Sequence, residues 1–320
     1  MRQQFLGAGL LAATVSAVLT LGACGSGTPS STSSATPAGS GSTLSSNGGG
    51  AKIPVVATTN VWGNIAEVVG GDSVQVTSII TDPAQDPHSY EANTQVALQL
   101  SKAKLVIENG GGYDDFVDTM IASSKSTPAV LNAVTISGFK PTAGGGLNEH
   151  VWYSFPSVKK VADQIATELG TADPGQADTF SANAKTFNTE VDKLIADEAQ
   201  LKSKYAGDGV GITEPVPLYL TEAAGLKNET PAAFSEAVEA GDDVSAAVLK
   251  QTLDLFTSKQ VKALVYNAQT SGPVTEQVKA AADKAGVPVV PVTETLPQGK
   301  TYLTWMQSNV DNLGQALAKQ

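Results

Sequence analysis

Residues 173–205, DPGQADTFSANAKTFNTEVDKLIADEAQLKSKY, separate two parts of the chain in which predicted strands and helices alternate. Their apolar side chains recur at helical spacing, which predicts one amphipathic face. Asp173 and Pro174 favour a helix start, and Gly207 favours a stop. A helix of this length exceeds the roughly 8–20 residues of most globular helices. Either one helix connects two lobes, or two shorter helices follow each other.

Buried strands alternate with helical patterns on both sides of this stretch. In the first helical pattern, Val61, Ile65, Val68 and Val69 are predicted to share the buried face. The alternation is typical of βαβ units with parallel strands. The predicted strands are 53–58, 74–80, 105–107, 210–212, 261–266 and 287–290, and the predicted helices are 60–69, 94–102, 113–122, 274–285 and 305–317.

We therefore predict an α/β fold of two lobes. Each lobe has a central, mostly parallel sheet flanked by helices, and one long rigid helix joins the lobes. The predicted boundaries are residues 53–172 for the first lobe, 173–206 for the linking helix and 207–320 for the second lobe.

The N-terminal segment has the pattern of a lipoprotein signal. Arg2 precedes a short apolar run, and residues 21–24, LGAC, resemble the bacterial lipobox, in which the cysteine is acylated. We expect residues 1–23 to be removed and Cys24, the only cysteine, to carry the lipid anchor. An ordinary signal with an incidental cysteine is the alternative, and so is a spanning helix, although that needs about 20 strongly apolar residues. Residues 24–52 are rich in Ser, Thr and Gly, which predicts a disordered tether.

Composition excludes several classes of protein. The formal net charge of −11 argues against a nucleic-acid partner, because nucleic-acid binding requires basic surfaces. A single cysteine excludes a disulfide framework and a cysteine-rich metal cluster. The chain has only two histidines, so any histidine chemistry depends on His88, His150 or both.

The two histidines lie in two loops of the first predicted lobe. His88 lies in DPHSYE after a strand, and His150 lies in NEHVWY after a glycine-rich loop. Taken singly, each is better explained as a surface or structural histidine. Together they indicate a metal site, because imidazole is the commonest transition-metal ligand.

Two carboxylates of the second lobe occupy similar positions. Glu214 follows the strand at 210–212, and Glu294 follows the last predicted strand. Ligands of open α/β sheets bind where the strands end. Composition alone would favour solvated surface acids at both positions, so only their placement makes them candidates.

The sequence resembles the metal-binding lipoproteins (cluster A-I type) of bacterial ABC importers, which capture zinc, manganese or iron. The resemblance covers about residues 53–320 and rests on the lipobox, the long helix, and residues 86–90 (DPHSY), 150–152 (HVW) and 294–297 (ETLP). It implies the metal ligands His88, His150, Glu214 and Glu294. Relatives usually carry Asp where this chain has Glu294, so the site must accommodate an extra methylene.

Four further acids have no counterpart among the family's ligands, and we interpret them as solvated. They are Asp114, Asp115, Asp242 and Asp243.

The resemblance also implies a function. The chain would be a monomeric, lipid-anchored receptor on the extracytoplasmic face of the cell membrane, delivering Zn²⁺ or Mn²⁺ to an ABC permease and its ATPase. The long helix would limit the lobes to small shifts. Imidazoles suit zinc and carboxylates suit manganese, so the donor set leaves the metal open, with a slight preference for manganese from Glu214.

Two other classes stay open at this point. A metal-dependent hydrolase would use similar donors and keep an open coordination position for water. A metal-free, adhesin-like lipoprotein would share the fold without binding metal tightly.

Overall fold

The computed structural model describes residues 51–82, 85, 90–141 and 146–319. The predicted signal, Cys24, all but the last two residues of the predicted tether, and His88 lie outside the described residues. Among the helices that are described, none is both long and apolar enough to span a membrane.

The first lobe is built on a parallel sheet. Its elements are β1 (Ile53–Thr59), α1 (Asn60–Gly70), β2 (Val74–Ile80), α2 (Thr94–Lys102), β3 (Leu105–Glu108), α3 (Phe116–Ser123), β4 (Ala129–Asn132), α4 (Ala133–Ser137) and α5 (Phe155–Ala172). The strand order is β2-β1-β3-β4, and Val55 pairs with Val76 on one side and Leu105 on the other. Helices cover both faces, which explains why β1 and β3 are nearly continuous apolar runs.

Residues 177–205 form one continuous helix and not two shorter ones. Helix α6 (Ala177–Tyr205) is 29 residues long and follows a short 3₁₀ turn at Pro174–Gln176. Asp173 opens this turn by accepting a hydrogen bond from the backbone N–H of Gly175. Lys202 and Lys204 lie in the last turn of α6, where positive charge is favourable.

The second lobe repeats the topology of the first. Its elements are β5 (Gly209–Ile212), α7 (Leu218–Ala223), β6 (Lys227–Asn228), α8 (Ala232–Glu239), α9 (Ala246–Thr257), β7 (Ala263–Asn267), α10 (Pro273–Ala285), β8 (Val289–Val292) and α11 (Tyr302–Leu317). The strands are again parallel and lie in the order β6-β5-β7-β8. The two lobes therefore share a strand order that the sequence does not reveal as a repeat.

One hydrophobic core runs through both lobes. It includes buried side chains of α1, α5, α6 and α11 together with strands of both sheets. Phe187 of α6, for example, lies 6.0 Å from Tyr302 of α11, measured between ring centroids. A shared core resists wide separation of the lobes, because opening it would expose apolar surface.

The structure corrects several predicted details. Val68 is 40% exposed and does not share the buried face of α1. Helix α3 begins at Phe116 rather than at residue 113, and the last strand is Val289–Val292 rather than 287–290. The sequence pattern did not predict β4, β6, α4, α5, α7, α8 and α9.

Candidate metal centre

The segments that follow the strands of the two sheets meet in one cleft. Asn60, after β1, exchanges two hydrogen bonds with the backbone of Leu296, after β8, at 2.9 and 2.8 Å. The Tyr153 hydroxyl donates to the carbonyl of Thr293 at 2.7 Å. The carboxyl ends of both sheets therefore border this cleft, which is where open α/β sheets bind their ligands.

Three neighbouring strands place two carboxylates side by side. The order β5-β7-β8 puts Glu214, Asn267 and Glu294 at adjacent strand ends. The Asn267 amide donates to Glu294 Oε1 at 2.8 Å and also to Glu214 Oε2. Glu214 is 1% exposed and Glu294 is 2% exposed. Neither residue is a solvated surface acid.

The loop that carries Glu294 is fixed from its own lobe. Gln269 Oε1 accepts hydrogen bonds from the backbone N–H groups of Glu294 and Thr295, both at 3.1 Å. The Tyr113 hydroxyl, from the first lobe, donates to Glu294 Oε2 at 3.3 Å. Burial and the Glu294 charge raise the pKa of Tyr113 well above its usual value, so the phenol stays a donor.

His150 is fully buried and faces the second-lobe acids. Asn148 Oδ1 lies 2.7 Å from His150 Nδ1. An amide oxygen only accepts, so Nδ1 carries a proton, and Nε2 is the ring nitrogen that faces the cleft. His150 Nε2 lies 3.2 Å from Glu239 Oε1 and 4.0 Å from Glu294 Oε2. The imidazole therefore stands among carboxylates with a ligand atom turned towards them.

Asn148 is held by contacts from the second lobe. Its side-chain amide donates to the carbonyl of Pro215 at 3.2 Å, and its own carbonyl accepts from the Tyr219 hydroxyl at 2.7 Å. The Tyr219 ring stacks on Phe139 of the first lobe, with centroids 4.5 Å apart. The orientation of His150 therefore depends on the two lobes being together.

Glu239 is a site residue that the sequence analysis did not identify. It is the last residue of α8, and its side chain is 15% exposed. Together with Glu149 and His150 it forms a group in which one ligand atom from each residue lies within 4.8 Å of the others. Pro231 and Gly241 could have marked the two ends of α8. No local pattern links this helix to His150, because the contact crosses between the lobes.

Asp114 is buried, which corrects the expectation that it is solvated. It is 2% exposed, and its carboxylate accepts the backbone N–H groups of Asn109 and Gly110 at 2.6 and 2.7 Å. Burial raises its pKa. These bonds hold the turn after β3, and this turn places Tyr113 within hydrogen-bond distance of Glu294. Asp115, Asp242 and Asp243 are exposed, as expected.

The described donors suit a divalent transition metal. Imidazole nitrogen suits zinc, copper, iron and nickel, and carboxylate oxygen suits manganese. Of the four predicted ligands, the structure brings together His150, Glu214 and Glu294, whereas His88 lies outside the described residues.

A profile of one protein family, described as "ZnuA: Zinc-uptake complex component A periplasmic", matches residues 55–316. The chain belongs to the ZnuA family. The matched range contains nearly all of both lobes and every described residue of the cleft.

Two named bacterial lipoproteins are similar to this chain. The manganese-binding lipoprotein MntA of Bacillus subtilis (strain 168) is 28% identical over 245 residues, which is 73% of this chain and 77% of MntA. The manganese ABC transporter substrate-binding lipoprotein PsaA of Streptococcus pneumoniae serotype 4 is 23% identical over 288 residues, 84% of this chain and 91% of PsaA.

A solved structure shares the fold. The solute-binding protein FpvC of Pseudomonas aeruginosa in complex with Mn²⁺ superposes with a TM-score of 0.70 at 23% identity, covering 84% of this chain and 99% of FpvC. This likeness agrees with the two-lobed α/β architecture that the sequence predicted.

Proposed function

We propose that this protein is an extracytoplasmic receptor that captures a divalent transition metal, Zn²⁺ or Mn²⁺, and delivers it to an ABC permease and its ATPase. The observation that carries the proposal is the approach of His150 from the first lobe to within 4.0 Å of the Glu294 carboxylate of the second lobe. The names of MntA and PsaA, a manganese-binding lipoprotein and a manganese ABC transporter substrate-binding lipoprotein, support it.

The proposed ligands are His88, His150, Glu214 and Glu294. Glu214 and Glu294 are supported by burial and by the shared donor Asn267, which keeps the two carboxylates next to each other. His150 is supported by its orientation on Asn148. His88 is supported by the resemblance of its DPHSY segment to the family.

Ligands from both lobes explain how the receptor would hold and release its cargo. A bound ion links His150 to Glu214 and Glu294, so it favours the closed cleft. Separating the lobes removes ligands and weakens binding. The shared core and the continuous helix α6 limit the separation to small shifts, and the permease would select the closed, loaded form.

We propose that the protein is not an enzyme. A hydrolase would need an open coordination position, and four protein ligands would close it. X-ray absorption on the zinc-loaded protein tests this point. We expect a zinc coordination shell filled by nitrogen and oxygen atoms of the protein. A zinc-bound water that competing anions displace would favour the hydrolase.

Native mass spectrometry of the full-length chain in mild detergent tests the proposed function. We expect one metal ion per chain before chelation, none after it, and one again after Zn²⁺ or Mn²⁺ is added back. A chain that takes up neither ion would contradict the proposal and favour the adhesin-like lipoprotein.

We also propose that Cys24 carries the membrane anchor. Acyl chains partition into a bilayer by about 0.8 kcal/mol for each buried CH₂, so several chains on one cysteine hold a protein firmly. Cys24→Ala should abolish incorporation of a labelled fatty acid. Fractionation should show that the variant chain is either released from the membrane or left unprocessed. Ser26→Ala, two residues away, is the control and should label normally. A processed, membrane-bound Cys24→Ala variant would contradict the anchor.

A further inference from the structure

Glu239 reaches the metal centre from a different direction than the other ligands. Glu214 and Glu294 follow strands of the second sheet, whereas Glu239 ends helix α8. Its Oε1 atom lies 3.2 Å from His150 Nε2, closer than the 4.0 Å that separates this nitrogen from Glu294 Oε2. Glu239 is therefore nearer to this imidazole nitrogen than Glu294 is.

The distance fits two ligands of one metal ion. Metal–ligand bonds of about 2.1 Å at angles between a right angle and the tetrahedral angle separate neighbouring ligand atoms by about 3.0–3.4 Å. The observed 3.2 Å between the imidazole nitrogen and the carboxylate oxygen lies within this range. The hydrogen bond of Nδ1 to Asn148 turns Nε2 towards the carboxylate, which is the orientation that shared coordination requires.

The end of α8 is built to hold Glu239 in place. The backbone N–H of Gly241 donates to the carbonyl of Val238 at 3.1 Å, and that of Asp242 donates to Ala237 at 2.8 Å. This pair of bonds is the Schellman closure of a helix, and Gly241 adopts the left-handed conformation, φ 68°, that the closure requires. Phe234, fully buried, anchors the same helix in the core of the second lobe.

The placement of Glu239 favours a bound cation. A carboxylate at the C-terminal end of a helix faces the negative end of the helix dipole. Here it also lies in a cleft that holds the Glu149, Glu214 and Glu294 carboxyl groups. A divalent cation bound at His150 would offset both effects at once.

We propose that Glu239 is a fifth protein ligand of the transported ion and that it shifts the selectivity of the site towards Mn²⁺. This inference rests on the proposed function. A third carboxylate adds a hard oxygen donor and raises the coordination number above the four that Zn²⁺ prefers. Mn²⁺ gains from both changes, so losing Glu239 should weaken Mn²⁺ binding more than Zn²⁺ binding.

The test compares Glu239→Gln and Glu239→Ala with Glu236→Gln, a control at an exposed acid one turn earlier on α8. Affinities of the full-length proteins for Mn²⁺ and for Zn²⁺ are measured by chelator competition. We expect both Glu239 variants to lose at least tenfold in Mn²⁺ affinity and less than threefold in Zn²⁺ affinity. Glu236→Gln should match the wild type for both ions.

The outcomes separate this inference from the proposed function. A wild type that binds neither ion contradicts the proposed function itself. A wild type that binds metal, with unchanged affinities in both Glu239 variants, overturns the fifth ligand. Equal losses for both ions overturn the selectivity. A metal-free melting temperature that falls in both Glu239 variants but not in Glu236→Gln overturns the fifth ligand, since Glu239 would then be structural.

Discussion

Two asparagine side chains organise the acids and the imidazole of the cleft. Asn267 uses one amide nitrogen to bond Glu214 and Glu294, while Asn148 uses its oxygen to fix the Nδ1 proton of His150. An amide is neutral at every relevant pH, so it can position a carboxylate or an imidazole without competing for the metal. Neither amide is a carboxylate or an imidazole, so the pattern of ligand residue types in the sequence does not identify them.

Glu294→Gln should weaken binding of both Zn²⁺ and Mn²⁺ by at least tenfold. The amide keeps the shape of the side chain and removes the charge that binds the ion, so the metal-free fold should persist. The metal affinity of Glu294→Asp should lie between those of the wild type and Glu294→Gln. Gln269 fixes the backbone at residues 294 and 295, so the shorter side chain cannot follow the ion. Chelator competition measures each affinity.

The control for this pair is Glu229→Gln, at an exposed acid of the same lobe. A surface substitution of this kind changes stability by no more than about 0.5 kcal/mol and should leave affinity unchanged. Wild-type affinity in Glu294→Gln would remove this residue from the proposed ligands.

The linking helix contains a buried acid that the metal site does not use. Glu198 of α6 is 4% exposed, and its burial raises the pKa of the carboxyl group to about 8. Its charge in turn contributes to the raised pKa of Tyr302, which begins α11. The apolar spacing that predicted α6 identifies its buried face, but it does not identify an acid on that face. Glu198 consequently gives the helix a pH dependence that the sequence pattern did not predict.

Glu198→Gln should stabilise the protein at pH 8 and have less effect at pH 5. The folded carboxyl group keeps a proton that the unfolded one, with a pKa near 4.5, releases. Its contribution to the free energy of unfolding therefore falls as the pH rises from about 4.5 to about 8, by up to about 1.4 kcal/mol for each pH unit. Urea unfolding of the metal-free protein at both pH values measures the difference.

A matched control lies on the same helix. Glu190 is 44% exposed and pairs with Lys193, so Glu190→Gln should change the free energy of unfolding by about 0.5 kcal/mol or less at either pH. If the free energies of unfolding of Glu198→Gln and the wild type differ by the same amount at pH 5 and pH 8, the carboxyl group does not titrate in this window.

At the scale of the whole molecule, the sequence predicted the architecture better than the site. Alternating strands and helices follow from local periodicity, so both parallel sheets and the single long helix were predictable. Glu214 and Glu294 could be predicted to lie together, because parallel strands end at one edge of a sheet. Glu239 could not, because the approach of α8 to His150 depends on how two lobes pack. The buried turn at Asp114, after which α3 begins at Phe116, depends on tertiary burial in the same way.

Metal should stabilise the entire fold, because its proposed ligands come from both lobes and the unfolded chain does not hold them together. An ion that binds only the folded state adds about 4.1 kcal/mol at a free concentration of 1,000 times its dissociation constant. For a chain of this size, each kcal/mol corresponds to roughly 2–4 °C in melting temperature. Calorimetry of the full-length protein in detergent should therefore show a fall of about 8–16 °C on chelation and a recovery when Zn²⁺ or Mn²⁺ is restored.

Glu294→Gln should melt at the metal-free temperature of the wild type under chelation and recover less with either ion. A melting temperature that is the same with Zn²⁺, with Mn²⁺ and with chelator would contradict a metal-linked cleft, since ligands drawn from both lobes cannot bind an ion without stabilising their folded arrangement.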